Sequence, residues 1–267
     1  MDSSDLEEQA LIAVQEAIGT HTVAIDISLS SKDKPDWCTG SLILAEGRPL
    51  IITCKHAVRP DIKKEDLRFL FRSEKSFQWV TKNQIKKIDI RMLNKNKYKT
   101  FPKTIPLTNI IYSNDEDDLA LLEVDESWAD ENINWFLKMD ISKAGTPEAG
   151  HLVYYMGFSR ELSRKATAHG DIGVFPFFGT STIVTKEMDS TAFNQDSHFL
   201  IDFRAFETDE YNIDPHGLSR CGVWSRTPSG EGNLWTANIY LIGVQNGYFK
   251  KNEVLKATKI ERVNRLI

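Results

Sequence analysis

Three short segments carry side chains that together could cleave an acyl bond. Residues 50–58, LIITCKHAV, end an apolar run in His56; residues 117–125, DDLALLEVD, begin one at Asp118; residues 214–224, DPHGLSRCGVW, set Ser219 in a glycine-flanked turn. A serine hydroxyl is a weak nucleophile at neutral pH and needs a neutral imidazole within hydrogen-bond reach to take its proton. A carboxylate on the other ring nitrogen fixes the tautomer and stabilises the imidazolium that forms. His56, Asp118 and Ser219 supply these groups from distant parts of the chain, so only a fold could assemble them.

Each residue also has a plainer reading. Glycine, serine and proline mark turns for conformational reasons, so Ser219 alone fits a hairpin corner. His56 alone fits a half-buried histidine at a strand end. Asp118 alone fits a strand cap beside Asp115, Glu116 and Asp117, and Asp117 competes with it for any role beside the imidazole.

The elements that would position these residues are mostly strands. Ser4 followed by Glu7 is a capping-box pattern, and Leu6, Ala10, Val14 and Ile18 recur at helical spacing, which predicts a helix over residues 1–19. Beyond Gly19 the period changes: Val23, Ile25, Ile27 and Leu29 alternate as in a strand. Residues 41–54, SLILAEGRPLIITC, read as two strands joined at Glu46-Gly47-Arg48, and further strands are expected at LRFLF, KKIDIRML and DLALLEV.

The second half continues with HLVYYMGFS, IGVFPFF, TSTIVTKE, HFLIDF, CGVWS and NIYLIGVQNG as strands. Many short strands with few helices imply an all-β-dominated chain of two antiparallel β-barrels. The boundaries are a helix over 1–19, a first barrel over 20–130 with His56 and Asp118, and a second over 131–250 with Ser219. Residues 251–267 return to helical spacing at Ile260, Val263 and Ile267 and are expected to form an amphipathic closing helix.

Composition narrows the functional classes. A hydrophobic content of 41% is ample for packed cores in a chain of 267 residues. The net charge of −5 argues against broad binding to nucleic acid or anionic membranes. The amino terminus lacks a basic start and a long apolar run, so neither a signal peptide nor a membrane span is expected there. Three cysteines, an odd number, fit a reducing compartment, and a cytoplasmic location is expected. No Cys/His spacing resembles a zinc site, and no metal or organic cofactor is expected.

The order His, Asp, Ser and the sequence around each resemble the trypsin-like (chymotrypsin-fold) serine peptidases. CTGSLILAEGRPLIITCKHAV is similar to the family's hairpin that ends in Thr-x-x-His-Ala, DDLALLEV to its Asp-Leu-Ala-Leu-Leu strand, and YYMGFS to a turn of its second barrel. The resemblance runs over residues 20–267 and implies a Ser-His-Asp triad of Ser219, His56 and Asp118. It prefers Asp118 over Asp117 because Leu-Ala-Leu-Leu follows Asp118 directly. It also implies an oxyanion hole formed by the backbone N–H groups of Gly217 and Ser219.

On the same resemblance, Asp214 lies in the acidic run that forms one wall of the specificity pocket. Gln245, Asn246 and Gly247 would supply the other wall and a strand on which a substrate backbone lies. The implied partner is a protein or peptide substrate, with an activating protein as a second partner. The chain is similar to trypsin-like domains of bacterial cytosol, some of which belong to defence systems.

The chain also departs from the pattern. Arg220 and Cys221 stand where the family carries glycines after the serine, which assigns Arg220 a gating role over the nucleophile. Leu218 replaces the aspartate of the zymogen device, so activation by trypsin-style cleavage is not expected. A disulfide between Cys38 and Cys54 is not implied. Two readings remain open: a regulated endopeptidase, or a catalytically inactive peptide-binding scaffold in which Arg220 blocks the hydroxyl. An α/β-hydrolase is disfavoured, because it would need the order Ser, acid, His and long helices between strands.

Overall fold

The computed structural model describes residues 3–27, 37–70, 104–141, 148–158, 176–188, 191–203, 220–226 and 238–267. Helix α1 (Ser3–Thr20) opens the chain. Its Leu11, Val14 and Ile18 follow the spacing of one helix face, and Val14 and Ile18 are buried in the core of the first sheet. Full burial of such side chains stabilises docking by about 1.5–3 kcal/mol each. The helix ends where the His21 amide and the Thr22 hydroxyl both donate to the Ile18 carbonyl, at 3.0 and 2.9 Å, and β1 (Thr22–Asp26) follows at once.

The first sheet comprises β1, β2 (Trp37–Ala45), β3 (Arg48–Cys54), β4 (Arg68–Leu70), β5 (Leu107–Tyr112), β6 (Leu119–Val124) and β7 (Leu137–Met139). Its order is β4-β1-β2-β3-β6-β5, with β7 added in parallel to β2. Helix α2 (Glu126–Glu131) lies between β6 and β7, capped by Asp125, whose side chain accepts from the Trp128 amide. The β2–β3 hairpin turns on Glu46 and Gly47, both at positive φ (51° and 79°), the geometry that matches the twist of the strands on either side. Strand β3 is apolar on both faces because both are covered; Leu50, Ile51, Ile52 and Cys54 are all fully buried.

The second half forms a closed barrel from β8 (Leu152–Phe158), β9 (Pro176–Val184), β10 (His198–Asp202), β11 (Gly222–Ser225), β12 (Tyr240–Phe249) and β13 (Val254–Lys259). The order is β10-β13-β12-β11-β8-β9, closed where β9 pairs with β10. Val153, Tyr155, Ile201, Val223, Leu255 and Ala257 fill its interior. The first core continues across the junction into Tyr154, Met156, Trp224, Leu241 and Val244 of the second half, so one apolar body fixes the two halves. The Thr39 hydroxyl of β2 adds a polar link, accepting from the Phe158 amide at 2.9 Å.

Some sequence expectations change. Residues 254–259 do not belong to the closing helix but form β13, with Leu255 and Ala257 turned inward at strand spacing. The helical parts are two 3-10 segments, Lys250–Asn252 before β13 and Ile260–Arg265 after it, and the second buries the Ile260 and Val263 that suggested the helix. The described end of IGVFPFF, residues 176–178, and the start of TSTIVTKE meet in a single strand, β9, since Gly179 continues the extended backbone; residues 172–175 lie outside the described residues. KKIDIRML lies outside the described residues, as do Asp214, Gly217 and Ser219.

Candidate functional site

The register of one strand pair brings His56 and Asp118 together. Cys54 at the end of β3 pairs with Leu119 at the start of β6, so the residues just beyond these ends are neighbours. The chain turns after β3, with the Ala57 amide donating to the Cys54 carbonyl at 3.1 Å, and the Lys55 amide donates to the Asp118 carbonyl at 3.0 Å. Asp118 itself sits at φ 51°, a left-handed conformation that aspartate tolerates better than most residues. Its loop is tied internally: the Asp117 amide donates to the Asn114 side chain at 2.8 Å and the Leu119 amide to the Ser113 hydroxyl at 2.7 Å.

The Asp118 carboxylate grips His56 at two points. Oδ2 accepts from Nδ1–H of the ring at 2.6 Å, and Oδ1 accepts from the His56 backbone amide at 2.9 Å. This leaves the proton on Nδ1 and a lone pair on Nε2, the tautomer a general base requires. The imidazole is 43% exposed and the carboxylate 17%, so the base opens to the cleft while its partner is shielded.

Arg220 meets the open side of the ring. Its Nε–H donates to His56 Nε2 at 3.3 Å, so in this arrangement the guanidinium occupies the lone pair that a nucleophile's proton would need. The Arg220 backbone lies at φ 92°, costly for a side-chain-bearing residue by about 1–3 kcal/mol. Gln245 offsets part of that cost, its carbonyl accepting from the Arg220 amide at 2.6 Å and its side-chain oxygen at 3.1 Å.

Of the four residues expected to bind substrate, Asp214 lies outside the described residues, and Gln245, Asn246 and Gly247 have separate roles. Gln245 anchors Arg220, and its own side-chain amide donates to the Gly247 carbonyl at 2.9 Å. Asn246, extruded at a bulge in β12, turns inward and donates to the Thr258 hydroxyl at 2.8 Å and to the Asp117 carbonyl at 3.2 Å. Gly247 stands on the strand edge, across from Lys256 in β13.

Asp117 is a structural anchor, paired with Arg262 of the last 3-10 segment through both carboxylate oxygens at 2.7 and 3.1 Å. Glu116 joins the same clasp. Its side chain accepts from Asn194 at 2.7 Å and Ser197 at 3.2 Å, bonds that hold its carboxyl below the usual range. Its carbonyl accepts from His198 Nε2–H at 3.0 Å. The loop bearing Asp118 is therefore held from the second barrel. Only the acidic character of residues 115–118 hinted at this in the sequence; Arg262, His198 and Lys256 carried no local signal.

Cys54, His56 and Asp118 have ligand atoms within 4.8 Å of one another, the one such group among the described residues. The Cys54 thiol donates to the Gln245 carbonyl at 3.4 Å, and burial followed by the Asp118 charge pushes its pKa well up. A thiol held protonated is a poor ligand and a poor nucleophile. Cys38, Cys54 and Cys221 are all free and buried.

No protein-family model and no curated protein matches this sequence. A crystal structure of the serine endoprotease from Yersinia pestis is similar in fold, with a TM-score of 0.52 at 12% identity. The match covers 95% of this chain and 64% of that one. The chain thus shares the fold of that structure, here a seven-stranded half-barrel sheet followed by a closed six-stranded barrel, and spans less than two thirds of its length. No described helix is long and apolar enough to cross a membrane.

Proposed function

We propose that this chain is a trypsin-like serine endopeptidase that hydrolyses peptide bonds through an acyl-enzyme on Ser219. The observation that carries the reading is the double contact of Asp118 on His56, with Nε2 turned toward Arg220, one peptide bond from Ser219. The shared fold supports the same reaction class.

In the proposed reaction Ser219 Oγ attacks the substrate carbonyl carbon while its proton passes to His56 Nε2. The oxyanion accepts hydrogen bonds from the backbone amides of Gly217 and Ser219, each donor being worth about 2.7–4 kcal/mol. Collapse breaks the C–N bond and His56 returns the proton to the leaving amine. Water then attacks the acyl-enzyme by the same path and frees Ser219. Asp118 orients the imidazole throughout and stabilises its charge.

Arg220 must leave Nε2 before the first step, so the reading is of a latched enzyme, opened by a partner or by substrate entering the cleft. Such a latch suits a protease working among cytoplasmic proteins. The sequence resemblance extends the reading to bacterial defence systems.

A second reading is favoured by the same Arg220 contact: a binding scaffold in which the guanidinium permanently blocks the base. Hydrolysis of an unfolded protein such as casein separates the two. The peptidase reading expects cleavage that rises in Arg220→Gly and disappears in Ser219→Ala and His56→Ala; the scaffold reading expects none in any variant.

A further inference from the structure

Lys256 is a buried cation beside the candidate cleft that the proposed mechanism does not use. It lies in the middle of β13 and is only 9% exposed. Its neighbours Leu255 and Ala257 point into the barrel interior, so Lys256 and Thr258 share the opposite face of the strand. That face looks toward the first sheet, because the Thr258 hydroxyl donates to the Asp117 carbonyl at 2.7 Å.

The strand beside Lys256 is open on its other edge. β11 pairs with β12 only as far as Val244, opposite Gly222. Gln245 still bonds Cys221 and Arg220 through its backbone amide and carbonyl, but from Asn246 to Phe249 the β11-side edge of β12 has no strand partner among the described residues, and an extended peptide can add there. Gly247, at the middle of that edge, is in register with Lys256. A Cβ at Gly247 would lie 3.2 Å from Lys256 Cε, so the missing side chain leaves the lysine stem as the wall that a substrate side chain would meet.

One Lys256 ammonium proton is used on the Ala192 carbonyl at 3.1 Å, and an ammonium has three. Among the described residues no carboxylate lies within ion-pair distance of it. Burial pushes its pKa down, while the charge of Asp118, first among the opposing causes, pulls it back up; Thr258, two residues along the same face, bonds the carbonyl of Asp117, next to Asp118. A buried cation is costly unless an anion meets it.

We propose that Lys256 determines specificity, its ammonium receiving the side-chain carboxylate of a Glu or Asp immediately before the scissile bond. This rests on the peptidase reading, and it reverses the preference for Lys or Arg that a pocket wall at Asp214 would give.

The test uses the full chain carrying Ser219→Ala, so that binding is read without cleavage. Fluorescent peptide pools with randomised surrounding positions, and one position fixed as Glu, Gln or Arg, are compared by anisotropy, with and without Lys256→Met. Methionine keeps the packing of the stem, and thermal unfolding checks that the variant is folded. The Glu pool should bind at least tenfold tighter than the Gln and Arg pools, and the folded Lys256→Met chain should lose that preference. Equal binding of the pools, no binding of any pool, or a Glu preference that survives Lys256→Met overturns the proposal. Should the folded Arg220→Gly chain, freed of the contact on His56, show no hydrolysis while the Lys256-dependent Glu preference holds, the peptidase reading fails and the subsite stands. Hydrolysis without that preference means the reverse.

Discussion

Arg262, in the last helical turn of the chain, grips both oxygens of Asp117, the residue immediately before the carboxylate that orients His56. The side chains are only 11% and 6% exposed, so this is a buried pair rather than a surface one. Removing one member of such a pair strands the other charge and costs about 3–5 kcal/mol. Arg262→Ala is therefore expected to lower unfolding stability by that amount in urea titration. A loss within 1 kcal/mol, the range of an exposed pair, would show that the clasp does not hold the loop.

Acid should loosen a second contact on the same loop, that of His198 with Glu116. His198 donates from Nε2 to the Glu116 carbonyl and accepts at Nδ1 from the Asn194 amide at 3.1 Å, so the bridging ring is neutral. Burial, aided by the Lys256 charge, lowers its pKa from 6.5, while the hydrogen bond to Glu116 and the charges of Asp117 and Glu116 pull the other way. A base whose pKa falls on folding contributes stability that is present above its unfolded value and lost as pH drops through the folded one. The urea midpoint should thus fall as pH decreases below 6.5, and His198→Gln, which keeps a donor and an acceptor, should flatten that fall. His21, lowered mainly by burial, leaves a residual slope in the variant.

Alkali should act through buried thiols. Burial pushes Cys221 up to about 12 and raises Cys54 well above its ordinary value. Groups whose pKa rises on folding contribute stability below the unfolded value and lose it as pH climbs toward the folded one. Stability should decline from about pH 8.5 upward, each thiol adding up to about 1.4 kcal/mol per pH unit. A urea midpoint unchanged between pH 8 and 10.5 would contradict this.

Asp118→Asn probes the double contact on His56. An amide can keep one hydrogen bond but sets an N–H donor against either the ring Nδ1–H or the His56 backbone amide. A fall in kcat of about 10⁴ is expected, with KM for a peptide substrate nearly unchanged. An equal fall in Ser219→Ala, with no further loss in the double variant, would mark the residues as one unit.

The sequence made the strands and the His56–Asp118 neighbourhood legible for a local reason. Both residues stand at the ends of unbroken apolar runs, and pairing those runs leaves their ends side by side. The closing segment was misread because Ile260, Val263 and Ile267 mimic a longer helix, while the alternation of Leu255 and Ala257 that makes β13 is only a few residues long. The roles of Asp117, His198, Arg262 and Lys256 depend on partners 60 or more residues away, which no local pattern encodes. Arg220 was legible as a departure, but its seat on His56 Nε2 required the geometry.

The central claim is that His56 and Asp118 serve a nucleophile at Ser219 once Arg220 withdraws. Intact-mass detection of a fluorophosphonate adduct tests it directly. The account predicts one adduct per chain, formed slowly by the native protein, at least tenfold faster by Arg220→Gly, and not at all by Ser219→Ala or His56→Ala. Absence of the adduct in folded Arg220→Gly, or its persistence in Ser219→Ala, would contradict the account.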